Sequence, residues 1–225
     1  MVGAPNAHVL ALLTRAPSSG GKTRLFQSLG ISPDPTLLRA LLLDTLEGSV
    51  VPHVRRVIAV TPASACAEVR ELVGDTEVMA QPEGDLGERM RATMTTLFAG
   101  GASAVALIGS DLPHMTGAPI EAAFEVLSRD AGALVLGPAE DGGYYLVAAR
   151  RVPDVFSEIE WGSAQVLAQT EAAAELDGFR VQRVEALRDV DTEDDLRRAV
   201  LGGRAPRTSA WLRRQVPRLR RESRA

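Results

Sequence analysis

The sequence of 225 residues contains very little cysteine and histidine. Its one cysteine, Cys66, cannot form an internal disulfide bond or a zinc site built from cysteines. The three histidines, His8, His53 and His114, are too scattered to have the spacing of metal ligands. A disulfide-stabilised scaffold and a cysteine-based zinc domain are therefore excluded.

Long hydrophobic runs and a large excess of one charge are also absent. No apolar run reaches the length of a membrane span, and the N-terminus lacks the pattern of a signal peptide. The net charge of -4 gives no general indication of nucleic-acid binding. We therefore expect a cytoplasmic globular protein with no membrane insertion and no nucleic-acid partner, and its composition is compatible with a homo-oligomer.

Lysine is the scarcest basic residue, because Lys22 is the only lysine in the chain. A preference for arginine over lysine is explained by the composition of the genome, and the position of the one lysine can be a matter of chance. Lys22 nevertheless lies in a glycine-rich loop, where a compact and flexible ammonium group differs chemically from a guanidinium.

Apolar runs alternate with helical patterns along the chain. We expect strands at residues 9–13, 56–61, 77–80, 102–108, 133–136, 144–148 and 180–185, and helices at 36–51, 62–73, 88–98, 117–128, 161–174 and 192–201. This spacing predicts an α/β fold with a mainly parallel, twisted sheet flanked by helices. A short loop stands before residue 144 where a helix is due, so one antiparallel insertion is expected.

The C-terminal segment is strongly basic. Residues 204–225 contain eight arginines and one acid, and are predicted to form a tail after a domain of residues 1–203. Trp211, Leu212 and Val216 have the spacing of a short amphipathic helix that packs on the domain. A solvated, partly frayed terminus is the preferred interpretation.

A glycine-rich loop follows the first predicted strand, at residues 14–25. Backbone N–H groups in such a loop bind anions, and basic side chains add positive charge, so phosphate binding is predicted. The nucleotide-binding residues predicted here are Thr14, Arg15, Gly20, Gly21, Lys22 and Arg24. The loop also approaches a Walker A pattern, but Gly30, Pro33 and Pro35 break the chain where a P-loop opens into a long helix.

A second polar loop covers residues 81–87. Gln81 has an amide that could bond a base edge, and Gly84 and Gly87 would allow close approach of a nucleotide. The alternative is a helix start with acidic residues in its first turn.

The buried strand at residues 102–108 ends abruptly in Gly109, Ser110 and Asp111. Ligands of open α/β sheets bind beyond the carboxyl ends of the strands, so Ser110 is predicted to contact nucleotide and Asp111 to bind Mg²⁺ or Mn²⁺. The alternative is that Asp111 only caps the next helix.

Such metal sites use one or two carboxylates, so a second ligand is expected. Asp189 and Asp191 flank a strand end, and either could provide it. Asp191 is ambiguous between ligand and helix cap, whereas Thr192 and Asp195 fit a capping box.

Residues 137–145 form an acidic, glycine-containing segment. Glu140 or Asp141 could bond an acceptor hydroxyl or act as a general base, and the alternative is an acidic hairpin. Trp161 could form an aromatic platform, unless residues 161–163 are only a helix start capped by Ser163. The predicted acceptor-binding residues are Asp141, Gly142, Gly143, Tyr144 and Trp161.

Together and in this order, the motifs resemble the bacterial GT-A-fold glycosyltransferases of the arsenosugar-biosynthesis type, within the nucleotide-diphospho-sugar transferase superfamily. The resemblance spans about residues 8–201 and is carried by residues 14–25, 84–90, 109–113, 137–146, 161–163 and 189–192. Residues 22–25 are also similar to 2-phospho-lactate guanylyltransferases, and residues 189–196 to sugar-activating cytidylyltransferases. The chain departs from the pattern at residues 18–21, which lack a second proline and a Pro-Gly step, and at Gly162, where serine is frequent.

The resemblance implies a GT-A-like fold and a division of roles. The loop up to Arg24 would hold the nucleotide phosphates, residues 81–87 would lie near the base, Asp111 and Asp191 would bind the metal, and Asp141 and Trp161 would face the acceptor. Lys22, Arg24 and Asp141 are then the predicted catalytic residues.

The expected function is metal-dependent transfer of a sugar from a nucleoside diphosphate sugar to a small-molecule acceptor. One alternative is nucleotidyl transfer to a phosphorylated small molecule with release of pyrophosphate. Another is a non-catalytic nucleotide-binding module, and a P-loop kinase is the least favoured.

Overall fold

The computed structural model describes residues 7–222, and the side chains of residues 7–215. Within this part of the chain, no helix is both long enough and apolar enough to cross a membrane.

Seven strands form a single sheet in the order β3-β2-β1-β4-β6-β5-β7. They are β1 (Ala7–Arg15), β2 (Val54–Thr61), β3 (Glu77–Ala80), β4 (Ala102–Gly109), β5 (Ala133–Pro138), β6 (Tyr144–Ala149) and β7 (Arg180–Arg183). Neighbouring strands are parallel except where β6 pairs with β4 and β5. The predicted fold class, including its one antiparallel insertion, is confirmed.

Among residues 7–222, eight α-helices flank the sheet. They are α1 (Thr23–Leu29), α2 (Pro35–Gly48), α3 (Cys66–Val73), α4 (Leu86–Ala99), α5 (Ala118–Arg129), α6 (Val166–Leu176), α7 (Glu193–Leu201) and α8 (Pro206–Glu222). In β1, Leu10 and Leu12 belong to the core under α2, α3 and α5, whereas Val9 and Ala11 belong to the core under α4 and α6. Helices on both faces bury the central strands completely, which explains their uninterrupted apolar runs.

The connection order creates a crevice at the centre of the sheet. From β1 the chain adds β2 and β3 on one side and then returns to place β4 on the other side of β1. Leu13 near the end of β1 is in register with Gly109 at the end of β4. Such a reversal of strand order separates the loops at the carboxyl ends of two strands, and ligands of open α/β folds bind there.

Glycines limit two helices, one of which begins later than expected and the other of which ends where a break was expected. The helix predicted from residue 161 begins at Val166, because residues 161–165 form turns in which Gly162 has a φ of 87°. Helix α1 stops after seven residues at Gly30, which has a left-handed φ of 66°. The long helix that a P-loop requires is therefore missing after residue 22, in agreement with the argument against a kinase.

The C-terminal segment packs against the domain. Trp211 and Leu212 are buried against α1, α2 and α7, and the Trp211 indole donates a 2.8 Å hydrogen bond to Asp34. Buried Asp44 of α2 accepts hydrogen bonds from the backbone of Arg207 and Thr208. The preferred expectation of a frayed terminus is therefore wrong for residues 206–215. The side chain of Val216, which belonged to the packed alternative, lies outside the described residues.

We expect the Trp211→Ala variant to lose about 3–5 kcal/mol of unfolding free energy, because it removes a buried aromatic side chain and leaves a cavity. Urea unfolding followed by circular dichroism would measure this loss. Leu201→Ala is the matched control, since Leu201 is 83% exposed and its truncation should change stability by less than about 0.5 kcal/mol. Equal effects of the two substitutions would contradict the packing of α8.

Candidate functional site

The loop after β1 owes its shape to three consecutive residues with positive φ. Gly20, Gly21 and Lys22 have φ values of 71°, 119° and 51°. Glycine adopts this region freely, but Lys22 carries a Cβ and pays a conformational cost there. The turn places Lys22 immediately before α1 and brings its side chain over the end of β4.

The Lys22 ammonium lies among three carboxylates. Its Nζ is 2.5 Å from Asp111 Oδ2, 2.7 Å from Asp191 Oδ1 and 3.9 Å from Asp189 Oδ2. Arg24 Nη1 lies 3.8 Å from Asp191 Oδ2. The structure thus brings together the loop lysine, the carboxylate at the end of β4 and both candidates for the second ligand.

Backbone hydrogen bonds hold the two acidic segments side by side. The N–H of buried Val190 donates to the carbonyl of Asp111 at 3.1 Å, and the N–H of Leu187 donates to Pro138 at 3.0 Å. The segment that carries Asp189 and Asp191 is therefore attached to the ends of β4 and β5.

Thr45 of α2 forms hydrogen bonds with the backbone on both sides of Asp111. Its hydroxyl is fully buried, donates to the Ser110 carbonyl at 3.2 Å and accepts from the Leu112 N–H at 3.1 Å. Sequence reasoning did not identify Thr45 as a site residue. The available signal was a polar residue on the otherwise apolar face of a predicted helix.

Helix capping does not account for either predicted metal ligand. Helix α5 has Gly117 at its N-cap and no side-chain cap, so the alternative role of Asp111 is wrong. Thr192 caps α7 and forms the predicted capping box with Asp195. Asp191 therefore is not the N-cap of this helix.

The crowding of carboxylates changes their proton affinity. Burial, followed by the nearby Asp111 carboxylate, raises the pKa of Asp189 to about 6. Burial alone would lower the pKa of Lys22, but the charges of Asp111 and Asp191 outweigh it and hold this pKa above its ordinary value. At neutral pH, Lys22 is consequently a cation in an acidic cluster.

The three carboxylates have suitable chemistry for a hard cation. Asp111, Asp189 and Asp191 each offer one oxygen, and these oxygens lie within 4.8 Å of one another. Mg²⁺ holds oxygen ligands at about 2.1 Å and commonly combines one or two carboxylates with substrate phosphates. The residues therefore fit a divalent ion, which would compete with Lys22 for Asp111 and Asp191.

Two cavities meet at Asp111. The first, which we call the loop cavity, has a volume of about 250 Å³, and the second, the aromatic cavity, about 320 Å³. Leu13, Gly109 and Asp111 line both. The loop cavity is otherwise lined by Thr14, Arg15, Gly20, Gly21, Lys22, Leu38, Leu41 and Ser110.

The aromatic cavity contains most of the predicted acceptor-binding residues. Its lining includes Asp141, Gly143, Tyr144, Trp161 and Asp189, together with residues that the sequence analysis missed, namely Leu86, Met90, Tyr145 and Val166. Leu86 and Met90 are ordinary apolar residues, and composition and periodicity give no signal that they line a site.

The Asp141 turn shapes one wall of this cavity. Asp141 Oδ1 accepts a 2.9 Å hydrogen bond from the Gly143 N–H. Gly142 is required because a β-carbon there would collide with the Ala164 carbonyl. Glu140 pairs with Arg188, whereas Asp141 lines the cavity.

Tyr144 and Trp161 form an edge-to-face pair. Their ring centroids are 6.4 Å apart and the rings are inclined by 72°. This arrangement is favourable for aromatic rings and fixes their orientation at the cavity.

Of residues 81–87, Leu86 alone lines one of the two cavities, and neither Gln81, Gly84 nor Gly87 does. The amide nitrogen of Gln81 donates to the carbonyls of Thr14 at 3.2 Å and Ala59 at 2.5 Å. Its amide oxygen is left for the contact with a base, and this contact stays a prediction. Gly84 precedes a capping box formed by Asp85 and Glu88. At Gly87 the close approach is made by the Phe156 carbonyl and the Trp161 ring, so packing accounts for this glycine without a ligand.

Comparison with protein families gives a match over residues 45–163, just over half of the chain. The matching model describes DUF2064, uncharacterized proteins conserved in bacteria. The chain belongs to the DUF2064 family. No functionally curated protein matches the sequence.

Solved structures extend the similarity of this DUF2064 protein to the whole fold. A protein from Desulfovibrio desulfuricans G20, provisionally named a nucleotide-diphospho-sugar transferase, is 29% identical, with a TM-score of 0.79 over 96% of this chain and 98% of that chain. CMP:2-keto-3-deoxy-manno-octonic acid synthetase complexed with CTP is 15% identical, with a TM-score of 0.55 over 88% and 99%. 4-diphosphocytidyl-2C-methyl-D-erythritol synthase is 12% identical, with a TM-score of 0.54 over 86% and 96%. The last two show a shared fold.

We expect the Asp189→Asn variant to be more stable than the wild type at pH 7 without metal, by roughly 1–3 kcal/mol. A carboxyl whose pKa rises from 3.8 to about 6 on folding costs stability as pH rises through this range. Asp189 should therefore lower the stability of the wild type relative to that of the variant as pH rises from about 4 to 6.

Urea unfolding at several pH values would measure this difference. Asp194→Asn is the control, because Asp194 is 65% exposed and, among the described side chains, its ion pair is with Arg198 on the surface of α7. An unchanged pH dependence in Asp189→Asn would contradict the assigned electrostatics.

Proposed function

We propose that this protein is a divalent-metal-dependent transferase that uses a nucleotide-activated donor. The preferred reaction moves a sugar from a nucleoside diphosphate sugar to a small acceptor. The observation that carries the proposal is the position of Asp111 between a glycine-rich loop cavity and an aromatic cavity. The similarity to the Desulfovibrio desulfuricans protein over nearly the whole chain supports it.

The loop cavity is the proposed donor site. Gly20 and Gly21 line it, and Arg15 and Lys22 add positive charge, a combination that suits a diphosphate. Asp111 and Asp191 would hold Mg²⁺ or Mn²⁺, with Asp189 as a third ligand. The ion would neutralise negative charge on the leaving diphosphate.

The basic residues would act on the donor phosphates. Lys22 now shares its ammonium between Asp111 and Asp191, and it can turn to a phosphate when these carboxylates have another cation as partner. Arg24 is 73% exposed beside Asp191 and can add charge at the opening of the site. Both contacts would strengthen as the diphosphate departs.

Asp141 is the proposed general base on the acceptor side. Its Oδ1 is held by the Gly143 N–H, which orients the carboxylate at the wall of the aromatic cavity. The other oxygen can accept the proton of an acceptor hydroxyl as this hydroxyl attacks the donor.

Nucleotidyl transfer is the second candidate. The same phosphate-binding and metal-binding groups would suit a nucleoside triphosphate, and a synthetase solved with CTP shares the fold. This reaction would release pyrophosphate, whereas sugar transfer would release a nucleoside diphosphate. A non-catalytic module would bind nucleotide and release neither.

A thermal-shift panel tests the donor site. UDP, GDP and CDP sugars and the nucleoside triphosphates are added with and without Mn²⁺. A ligand at 100 times its Kd should add about 2.7 kcal/mol, which raises the Tm by roughly 5–10 °C in a domain of this size. We expect this rise with Mn²⁺ and its loss in Asp111→Asn.

Asp194→Asn serves as the control and should keep the full shift, because Asp194 lies on the exposed surface of α7. Nucleotide binding that is independent of metal and survives Asp111→Asn would overturn the proposal. For each ligand that binds, the released product separates sugar transfer from nucleotidyl transfer.

A further inference from the structure

We infer that the acceptor carries no phosphate or carboxylate group and is an uncharged or cationic hydroxyl compound with an apolar face. This inference rests on the proposed function, which assigns the aromatic cavity to the acceptor. It specifies the acceptor class that the sequence leaves open.

The charge of the cavity wall is the first observation. Three carboxylates line the aromatic cavity, from Asp111, Asp141 and Asp189, and its described lining contains no lysine, arginine or histidine. An anionic acceptor would therefore enter a negatively charged cavity without a basic group to pair with, which is unfavourable at low local dielectric.

The neighbouring cations are already paired with acids. Lys22 bonds Asp111 and Asp191. Arg188 pairs with Glu140 and lies 3.1 Å from Asp195. Neither basic group lines the aromatic cavity, so neither can form an ion pair with an anion bound there.

A bound divalent ion does not reverse this balance. Two positive charges from the ion and one from Lys22 would offset the three carboxylates Asp111, Asp189 and Asp191. The carboxylate of Asp141 would remain, and the phosphates of a donor would add further negative charge. The aromatic cavity would thus stay without excess positive charge in the loaded enzyme.

The apolar walls are the second observation. Leu86, Met90, Tyr144 and Trp161 line the cavity. The Tyr145 hydroxyl donates to the Glu185 carbonyl at 2.8 Å, so this side chain offers its ring to the cavity and not a free hydroxyl. Such walls suit the apolar face of a sugar or another ring, and aromatic faces also attract cations.

The two cavities therefore differ in the ligands that they suit. Arg15, Lys22, Gly20 and Gly21 line the loop cavity, whereas the aromatic cavity combines acids with apolar surface. This separation favours a hydroxyl acceptor and opposes the second candidate function, in which the acceptor is phosphorylated.

A matched pair of probes tests the inference on the wild-type protein. Phenyl β-D-glucoside and phenyl β-D-glucoside 6-phosphate have the same ring and differ by one phosphate. Ligand-observed NMR titrations in the presence of Mg²⁺, which is diamagnetic, measure their affinities. We expect the uncharged glucoside to bind at least about tenfold more tightly. Equal or tighter binding of the phosphate, or no binding of either, would overturn the inference.

Adding a positive charge to the cavity wall tests whether the preference for the uncharged probe arises in this cavity. Leu86 is 38% exposed at the cavity wall, so Leu86→Lys can add a cation without opening the core. It should narrow or reverse the preference against the phosphate. Leu201→Lys, on the exposed surface of α7, should leave the preference unchanged. An unchanged preference in Leu86→Lys would contradict the assignment.

Failure of this inference can be distinguished from failure of the proposed function. Nucleotide binding with Mn²⁺ reports on the loop cavity and Asp111 alone. If that binding is intact and the phosphorylated probe is preferred, only the inference about the acceptor fails. If no nucleotide binds with metal, the proposed function itself fails.

Discussion

A single ammonium group holds the centre of this protein together. Lys22 lies between Asp111 and Asp191 and close to Asp189, three carboxylates that would otherwise repel one another. The interaction connects residues 169 positions apart in the chain, from the loop after β1 to the segment before α7. Lys22 therefore offsets part of the repulsion within the acidic cluster.

The order of the strands explains why the cluster forms at this place. The chain reverses direction across the sheet between β1 and β4, so their C-terminal loops separate and leave a crevice. Backbone bonds from Val190 to Asp111 and from Leu187 to Pro138 then bring the last acidic segment to the same edge. The glycine-rich loop lies on one side of Asp111 and the aromatic walls lie on the other, and the proposed donor and acceptor sites rest on this arrangement.

The strands of the sheet and the end of β4 could be predicted from the sequence, because the signals for them are local. Buried parallel strands appear as apolar runs, and Gly109 marks the end of β4 just before Asp111. The meeting of Asp189 with Lys22 could not be predicted from periodicity, since Asp189 lies in a segment without regular structure whose position depends on long-range hydrogen bonds. The burial of Trp211 was not predicted, because the many arginines around it are typical of a solvated segment.

The most direct test of the account is a crystal structure of the protein soaked with Mn²⁺ and a nucleoside diphosphate, with anomalous data recorded at the manganese edge. The account predicts one strong anomalous peak beside the carboxylates of Asp111 and Asp191, with the diphosphate in the loop cavity and the Lys22 ammonium moved towards it. A diphosphate bound elsewhere, or Lys22 still bridging Asp111 and Asp191 with no manganese at the cluster, would contradict the account.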